Sequence, residues 1–387
     1  MTEMAEENRM IQELAAKFVN NELMPLEAAL LAREASGQHM CLTVEEELRL
    51  DAKCREVGLW GLDVPEELGG ANLSGLVRMG IYEELGRTVT PFNFPPDSPD
   101  LHMLLATANE YQHERYVKPY ARGETRVAIA ASEPDAGSDP SVMRTRAVKD
   151  GSHWVINGRK IWISFAERAD FLILMAVTDP VKKARGGITA FIVEKGTPGL
   201  IIEREIRMLG GIRTYEIVLE NCRLHENQVL GKVGDGFGPM QLRFTIRRLE
   251  MGAWCVGMAR RALEMMISHA KLRVTFGAPL ADRQTIQWWI ADAATKLHAC
   301  RLMVNDAAIK LDAGQDVRTE ASMVKVFGTE MATEVIDNAM QVFGAMGMTK
   351  ELPLQQMAQR IRMMRIFEGP SEVHRMVIAR RFLSATK

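Results

Sequence analysis

No apolar stretch of about 18 residues, the length a helix needs to cross a bilayer, occurs anywhere in the 387 residues. No membrane span is expected. Charge of one sign is not in surplus either: 48 Lys and Arg stand against 50 Asp and Glu, a net of −2. No long-range positive field therefore draws in nucleic acid, and a phosphate-bearing ligand must be held by local arginines. Cysteine is scarce, and Cys41, Cys54, Cys222, Cys255 and Cys300 never form a CxxC pair. That excludes a disulfide framework and a thiolate metal site, so no metal is expected and the thiols read as reduced core residues. Aromatics make up only 6% while methionine numbers 25, which leans toward helix-rich packing. The acidic start MTEMAEENRM lacks the pattern of a signal or transit peptide, and Ser384-Ala385-Thr386-Lys387 is not a peroxisomal tripeptide, so a cytoplasmic location is expected.

What is present divides the chain into three, at 1–124, 125–235 and 236–387. In the first part Ile11, Leu14, Ala15 and Phe18 repeat at helix spacing, and Thr43-Val44-Glu45-Glu46 is a capping box. Pro65 with Gly69-Gly70, then Pro91, Pro95, Pro96 and Pro99, mark irregular connections. In the second part the period shortens, with apolar runs at 127–130, 154–156, 171–177 and 190–193. Asp150-Gly151, Asn157-Gly158, Gly186-Gly187 and Pro198-Gly199 read as turns between them. Past Gly231–Gly236 the pattern is helical, predicting long helices over about 237–271, 284–312, 319–343 and 371–382.

Five segments can carry chemistry. Ser132-Glu133-Pro134-Asp135-Ala136-Gly137-Ser138-Asp139 leaves a strand with free N–H groups and hydroxyls that suit an anion or a ring edge, although a plain surface turn has the same composition. Strand periodicity puts Trp162 and Ser164 on one face of Ile161-Trp162-Ile163-Ser164, an aromatic plate beside a hydroxyl; a core tryptophan beside a satisfied serine is the plainer alternative. In Arg273-Val274-Thr275-Phe276-Gly277, Gly277 reads as a helix stop and Arg273 as a last-turn residue that either suits the helix dipole or grips a pyrophosphate. Gln341-Val342-Phe343-Gly344-Ala345-Met346-Gly347 either brings backbone close to a ligand or ends a helix. Glu368 closes the apolar Ile366-Phe367 before Gly369-Pro370; held in an apolar setting, its pKa would rise and make it a stronger base toward carbon acids. Arg243, Arg247 and Arg248, with other helical arginines, read as solvated faces or ion-pair partners.

In identity, order and spacing these segments resemble the acyl-CoA dehydrogenase family over nearly the whole chain. The loop at 132–139 is similar to its Thr-Glu-Pro-x-Ala-Gly-Ser-Asp, Trp162-Ile163-Ser164 to its Trp-Ile-Thr, Arg273 to Gly277 to its Arg-x-x-Phe-Gly, and Phe367-Glu368-Gly369 to the segment with its catalytic base. The resemblance implies a mostly α, α+β fold: an N-terminal helical domain, a middle domain like a β-barrel or β-sandwich, and a C-terminal four-helix bundle. It implies a homotetramer, or a homodimer, with FAD reaching a neighbouring subunit. Ile129, Ala131, Ser132, Gly137, Trp162, Ile163 and Ser164 would hold the flavin end, and Ser138 the FAD phosphate or the substrate region. Arg273, Thr275, Phe276, Gln284, Gln341, Val342, Gly344 and Ala345 would hold the pyrophosphate and adenosine of the neighbour's FAD. Pro370 and Glu372 would complete the cofactor site, and Ser138, Thr245, Arg248 and Gly369 would meet the acyl-CoA.

The implied reaction removes an α proton to Glu368 and a β hydride to FAD, gives a trans-2-enoyl-CoA, and passes electrons to an electron-transfer flavoprotein. The sequence departs from the family pattern at Ser132 and Ser164, where threonine is commoner, at Pro370 and at Thr245. Arg247 stands where some members carry their base, which leaves the role to Glu368, with Glu250 the next carboxylate to consider. An oxygen-using flavoprotein on the same fold, or a non-catalytic paralogue, would share these landmarks.

Overall fold

The computed structural model describes residues 2–384; Met1 and residues 385–387, three of the four C-terminal residues considered above, lie outside the described residues. The helical first part comprises α1 (Thr2–Phe18), α2 (Glu27–Ala35), α3 (Val44–Glu56), α4 (Gly75–Gly86), α5 (Ser98–Thr107), α6 (Glu110–Gln112) and α7 (Lys118–Ala121). The capping box forms as read: Glu46 N–H donates to Thr43 Oγ1 at 3.1 Å and Thr43 N–H to Glu46 Oε2 at 2.7 Å. Between α3 and α5, Arg78 sits in the interior on Asp63 at 2.7 Å, which fixes the loop that leads toward the site.

The middle part is one sheet in the order β6-β7-β3-β2-β4-β5-β8, with β1 added parallel to β4. Its strands are β1 (Val127–Ala130), β2 (Arg146–Asp150), β3 (His153–Ser164), β4 (Phe171–Val177), β5 (Ile188–Glu194), β6 (Leu200–Arg207), β7 (Arg213–His225) and β8 (Val229–Leu230). Every residue of β4 is buried. Phe171, Ile173 and Met175 pack with Leu101, Tyr116 and Tyr120 of the helical part. Leu172, Leu174 and Ala176 pack with Trp154, Ile163, Ile217 and Leu224 of β3 and β7. The sheet thus curls so that its own strands cover one face of β4 and helices the other, which explains a continuous apolar run rather than an alternating one.

Asn157-Gly158 is not a turn. It lies inside β3, at a register shift against β7 between Ile156 and Gly158. Glycine is needed there because a Cβ would come within 2.4 Å of Thr145 Oγ1 on the approach to β2.

The C-terminal part contains α8 (Phe237–Leu272), the hairpin β9 (Val274–Thr275) and β10 (Ala278–Pro279), α9 (Gln284–Asp312), α10 (Arg318–Phe343), α11 (Leu354–Met364) and α12 (Ser371–Ser384). The four long helices fall where their periodicity predicts; α11 is additional, an eleven-residue helix burying Leu354, Met357 and Ile361. Helices α4 and α8 touch backbone to backbone: a Cβ on Gly257 would lie 1.9 Å from Glu83 O, and one on Gly86 2.4 Å from Trp254 O. Only glycine permits that approach, which locks the N-terminal helices onto the helix that carries the site.

The loop after β1 is anchored by a buried ion pair. Lys160 is fully buried and its Nζ lies 2.8 Å from Glu133 Oε1 and 3.1 Å from Ala131 O. Glu133 also accepts Arg144 N–H at 2.6 Å and Thr145 N–H at 2.9 Å. Burial lowers the Lys160 ammonium to about 8 in spite of the carboxylate beside it. Removing one member of such a pair strands the other, at a cost of about 3–5 kcal/mol. Lys160→Met should therefore lower the unfolding free energy in urea by that order, and an unchanged midpoint would exclude the pair as an anchor.

Candidate active site

Three arginines on α8 converge on the turn between α11 and α12. Arg243 and Arg247, four residues apart, share one helix face, and Arg248 stands beside them. Arg243 donates from Nε to Asp100 Oδ1 of α5 at 2.6 Å and from Nη1 to Glu368 Oε1 at 3.0 Å. Arg247 donates to Glu250 Oε2 at 2.8 Å and to Asp97 at the start of α5. Arg248 Nε reaches the backbone carbonyl of Glu368 at 3.1 Å.

Glu368 is held in an unusual backbone state. Its φ is 57° and that of Gly369 is 93°, two successive left-handed residues of which the first carries a side chain. For an L-residue this costs roughly 1–2 kcal/mol, offset here by donors on the adjoining carbonyls. His374 Nε2 lies 3.1 Å from Glu368 O, and Lys325 Nζ bonds Gly369 O. A Cβ at Gly369 would sit 3.0 Å from His374 Nε2, so the turn needs glycine for space as well as for φ. Glu368 N–H makes no hydrogen bond among the described residues, and Glu368 Oε2 is buried without a partner among them.

The expectation of an apolar setting for Glu368 is corrected. Ile366 and Phe367 are 55% and 38% exposed, so they turn outward and do not surround the carboxylate. Burial does push the Glu368 pKa up, but Arg243, Arg247 and Arg248 together outweigh it and leave the carboxyl below its ordinary value. The reason is tertiary: α8 supplies cations that lie more than a hundred residues away in sequence. Their spacing at i, i+4 and i+5 was visible as one helical stripe, but nothing local tied it to Glu368.

Burial raises Asp100 to about 6 and Glu250 to about 8, against the pull of Arg243 and Arg247 respectively. Glu250 is fully buried on Arg247, not turned toward the Glu368 carboxylate. Thr245 is buried too, with its hydroxyl donated to Gln241 O one turn back at 2.8 Å, so its proton is committed and only its oxygen is left to accept.

The Ser132 loop and the Trp162 segment come together. Ile161 N–H donates to Ser132 O at 3.0 Å, next to the Lys160 anchor. Beyond that point β3 bulges: its pairing with β7 skips from Lys160 to Ile163, and Trp162 adopts a φ of 64°. Ile161 and Ile163 stay buried while the indole is 49% exposed and Ser164 is half-buried, so the expected division of faces holds through a bulge and not through regular pleating. Ile129 and Ala131 are partly buried at the end of β1, and Gly137 and Ser138 are exposed in the loop.

A third group gathers at the far ends of α8 and α10. His269 of α8 stacks on Phe343 of α10 with centroids 4.1 Å apart. Gly277 does not stop a helix: α8 ends at Leu272, and Phe276-Gly277, with φ of 50° and 80°, form the tip of the β9–β10 hairpin. Two positive φ values are what a tight two-residue hairpin demands. Phe276 is wholly exposed, and Arg273, Gln284, Gln341, Gly344 and Ala345 are also on the surface, whereas Val342 is buried and can offer a ligand only its backbone. No hydrogen bond or ion pair joins this group to the other two among the described residues.

Family models for the acyl-CoA dehydrogenase N-terminal, middle and C-terminal domains match residues 5–124, 128–222 and 234–383. The chain belongs to the acyl-CoA dehydrogenase family. It is an oxidoreductase of that fold and a flavoprotein. It is 42% identical to (R)-benzylsuccinyl-CoA dehydrogenase of Thauera aromatica over 98% of this chain and 96% of that one. It is 34% identical to the CarC subunit of the caffeyl-CoA reductase-Etf complex of Acetobacterium woodii, covering 97% and 98%. Among solved structures, the FAD complex of PigA superposes with a TM-score of 0.86 at 28% identity, over 97% of each chain. The residues present fit such a cofactor: an exposed indole on a strand bulge, with Ser164 two residues on and Ser132 bonded through its carbonyl to the neighbouring Ile161, suits a flat heteroaromatic ring that stacks on one face and seeks hydroxyls at its edge.

The turn's donor His374 is held neutral. Burial, then Arg248 and Lys325, lower its pKa from 6.5 to about 4. With the folded value below the unfolded one, the unfolded chain takes the proton first, so this contribution is intact above pH 6.5 and is lost as pH falls toward about 4. Urea midpoints measured at pH 7 and pH 4.5 should fall less steeply in His374→Gln than in the parent; parallel losses would remove His374 from the acid response.

Proposed function

We propose that the chain catalyses FAD-dependent α,β-dehydrogenation of an acyl-CoA thioester to a trans-2-enoyl-CoA, with Glu368 removing the α proton and an electron-transfer flavoprotein accepting the electrons. The observation that carries this reading is the Glu368 carboxylate, presented on a left-handed turn with one buried oxygen unpartnered among the described residues. An α C–H beside a thioester is a weak acid, so its removal needs a carboxylate that is ionised and aimed. The arginines keep Glu368 in the ionised form that proton removal requires. FAD, when bound, supplies the acceptor for the β hydrogen and its electron pair. The unengaged Glu368 N–H is suited to the thioester oxygen as negative charge gathers there.

On this reading Ser132, Trp162 and Ser164 hold the flavin end and Ser138 the FAD phosphate or the substrate region, with Ile129, Ala131, Gly137, Ile163, Pro370 and Glu372 around them. The exposed group of Arg273, Thr275, Phe276, Gln284 and Gln341–Ala345 reaches the FAD of another subunit in a homotetramer. Its exposure within one chain supports that assignment: Phe276, on the hairpin tip, is wholly exposed and packs on none of the described residues. The Etf in the name of the Acetobacterium woodii relative supports the electron acceptor.

Glu368→Gln keeps size and one acceptor oxygen but removes basicity. Anaerobic stopped-flow flavin bleaching with acyl-CoA should slow by about 10²–10⁴-fold while FAD content and acyl-CoA binding persist; a rate within a few-fold of the parent would transfer the role elsewhere. Arg273→Ala should lower both FAD occupancy and the fraction of oligomer in analytical ultracentrifugation, by a contact worth about 1.5–3 kcal/mol. Full occupancy in a monomer would contradict the shared site.

A further inference from the structure

Arg243 holds two carboxylates at once. Its Nε donates to Asp100 Oδ1 at 2.6 Å and its Nη1 to Glu368 Oε1 at 3.0 Å, so the two acids share one buried guanidinium. Their parts in the proposed reaction differ. Glu368 has a second oxygen without a partner among the described residues, and that oxygen is free to take a proton while Oε1 stays on Arg243. Asp100 is buried on α5 and bound to the guanidinium alone among the described residues.

A guanidinium is tolerated in an interior only when a carboxylate neutralises it. Were Glu368 the sole counter-charge of Arg243, every protonation of Glu368 would strand a buried cation, and that penalty would weaken Glu368 as a base. Asp100 removes the penalty, because its charge remains on Arg243 whichever form Glu368 takes. Arg247 has the same provision in Asp97, and Arg248, half-buried, bonds the Glu368 carbonyl and not its carboxylate.

On the dehydrogenase reading above, we infer that Asp100 is a positioning residue for the α-proton step: it is the standing counter-ion of Arg243 that lets Glu368 pass between carboxylate and carboxylic acid without leaving a buried cation unpaired. Asp100 itself neither gives nor takes a proton in that step. The α proton goes from carbon to Glu368, and the β hydrogen leaves with its electron pair, as in the reaction above.

The provision holds only while Asp100 is ionised. Burial raises its pKa to about 6 against the pull of Arg243, so the counter-ion is present above pH 6 and lost below it. The other charged or titratable groups around the pair are Asp97 on α5, Tyr120 on α7, Arg247, Arg248 and Glu250 on α8, Lys325 on α10 and His374 on α12. Glu368 lies below its ordinary value and His374 at about 4, while Glu250 and Lys325, both shifted first by burial, lie at about 8. A loss of rate centred near pH 6 therefore belongs to Asp100. Across a guanidinium and two hydrogen bonds, about 7 Å, one negative charge raises a neighbour's proton affinity by about one to two powers of ten.

The test is anaerobic stopped-flow flavin bleaching of the FAD-loaded protein between pH 5 and pH 7, at saturating acyl-CoA, with a panel of saturated thioesters from butyryl-CoA to 3-phenylpropionyl-CoA. In the parent the rate should fall with pH around a midpoint near 6. Asp100→Asn keeps an oxygen for Arg243 Nε but removes the charge; it should bleach about 10-fold more slowly at pH 7 and lose the limb near pH 6. Asp100→Glu, which keeps the charge, should retain the limb. A merely structural role would lower stability or FAD content in the Asn variant and leave the limb in place, which would overturn the inference. So would a parent rate that stays flat from pH 7 to pH 5, a result that needs no variant to fold. If no thioester of the panel bleaches the parent at any pH, the dehydrogenase reading itself fails, and the inference with it.

Discussion

The site depends on packing three guanidinium groups of α8, those of Arg243 and Arg247 buried and that of Arg248 half-buried, against one turn of backbone and four carboxylates. Cations of this kind enter an interior only when paired and hydrogen-bonded. Asp97 and Asp100 come from the start of α5, Glu250 from α8 itself and Glu368 from the turn before α12. The requirement for neutrality therefore brings three separate stretches of chain to one point. Close contact between α4 and α8 at Gly86 and Gly257 gives that assembly a fixed wall.

The same cluster sets the chemistry. Burial alone would raise every carboxyl present and leave a resting acid at position 368. The arginines reverse this for Glu368 but not for Asp100 or Glu250, which have less cationic company for their degree of burial. Asp100 and Glu250 are thus driven up in pKa while Glu368, on the strained turn, is held below its ordinary value. His374 and Lys325 hold that turn through carbonyl oxygens only, leaving the Glu368 side chain and N–H for other work.

Local order at the cofactor side has a different origin. There a bulge in β3, not a charge cluster, aims the Trp162 indole outward, while Lys160, from the residues just before it, is pulled inward onto Glu133. One strand segment therefore both anchors the Ser132 loop and exposes the aromatic plate beside it. The opposite orientations of Lys160 and Trp162 follow from pleat and bulge together.

The long helices at 237–272, 284–312 and 318–343 are legible in the chain alone, because their periodicity is a local property. So are the buried β4, as a continuous apolar run, and the cap of α3, as a pattern of four residues. The family motifs are legible there too, and Glu368 among them. Less legible were β6, whose eight residues are all exposed or half-exposed and show no apolar alternation, and α11, a short helix lying between the breaks at Gly347 and Gly369. Asn157-Gly158 reads as a turn to any local rule, since the contact that requires its glycine comes from Thr145, the residue just before β2. The environment of Glu368 was hidden for the same reason. Its neighbours in sequence are apolar and its neighbours in space are arginines, and a pKa is set by the charges within a few ångströms, wherever along the chain they originate.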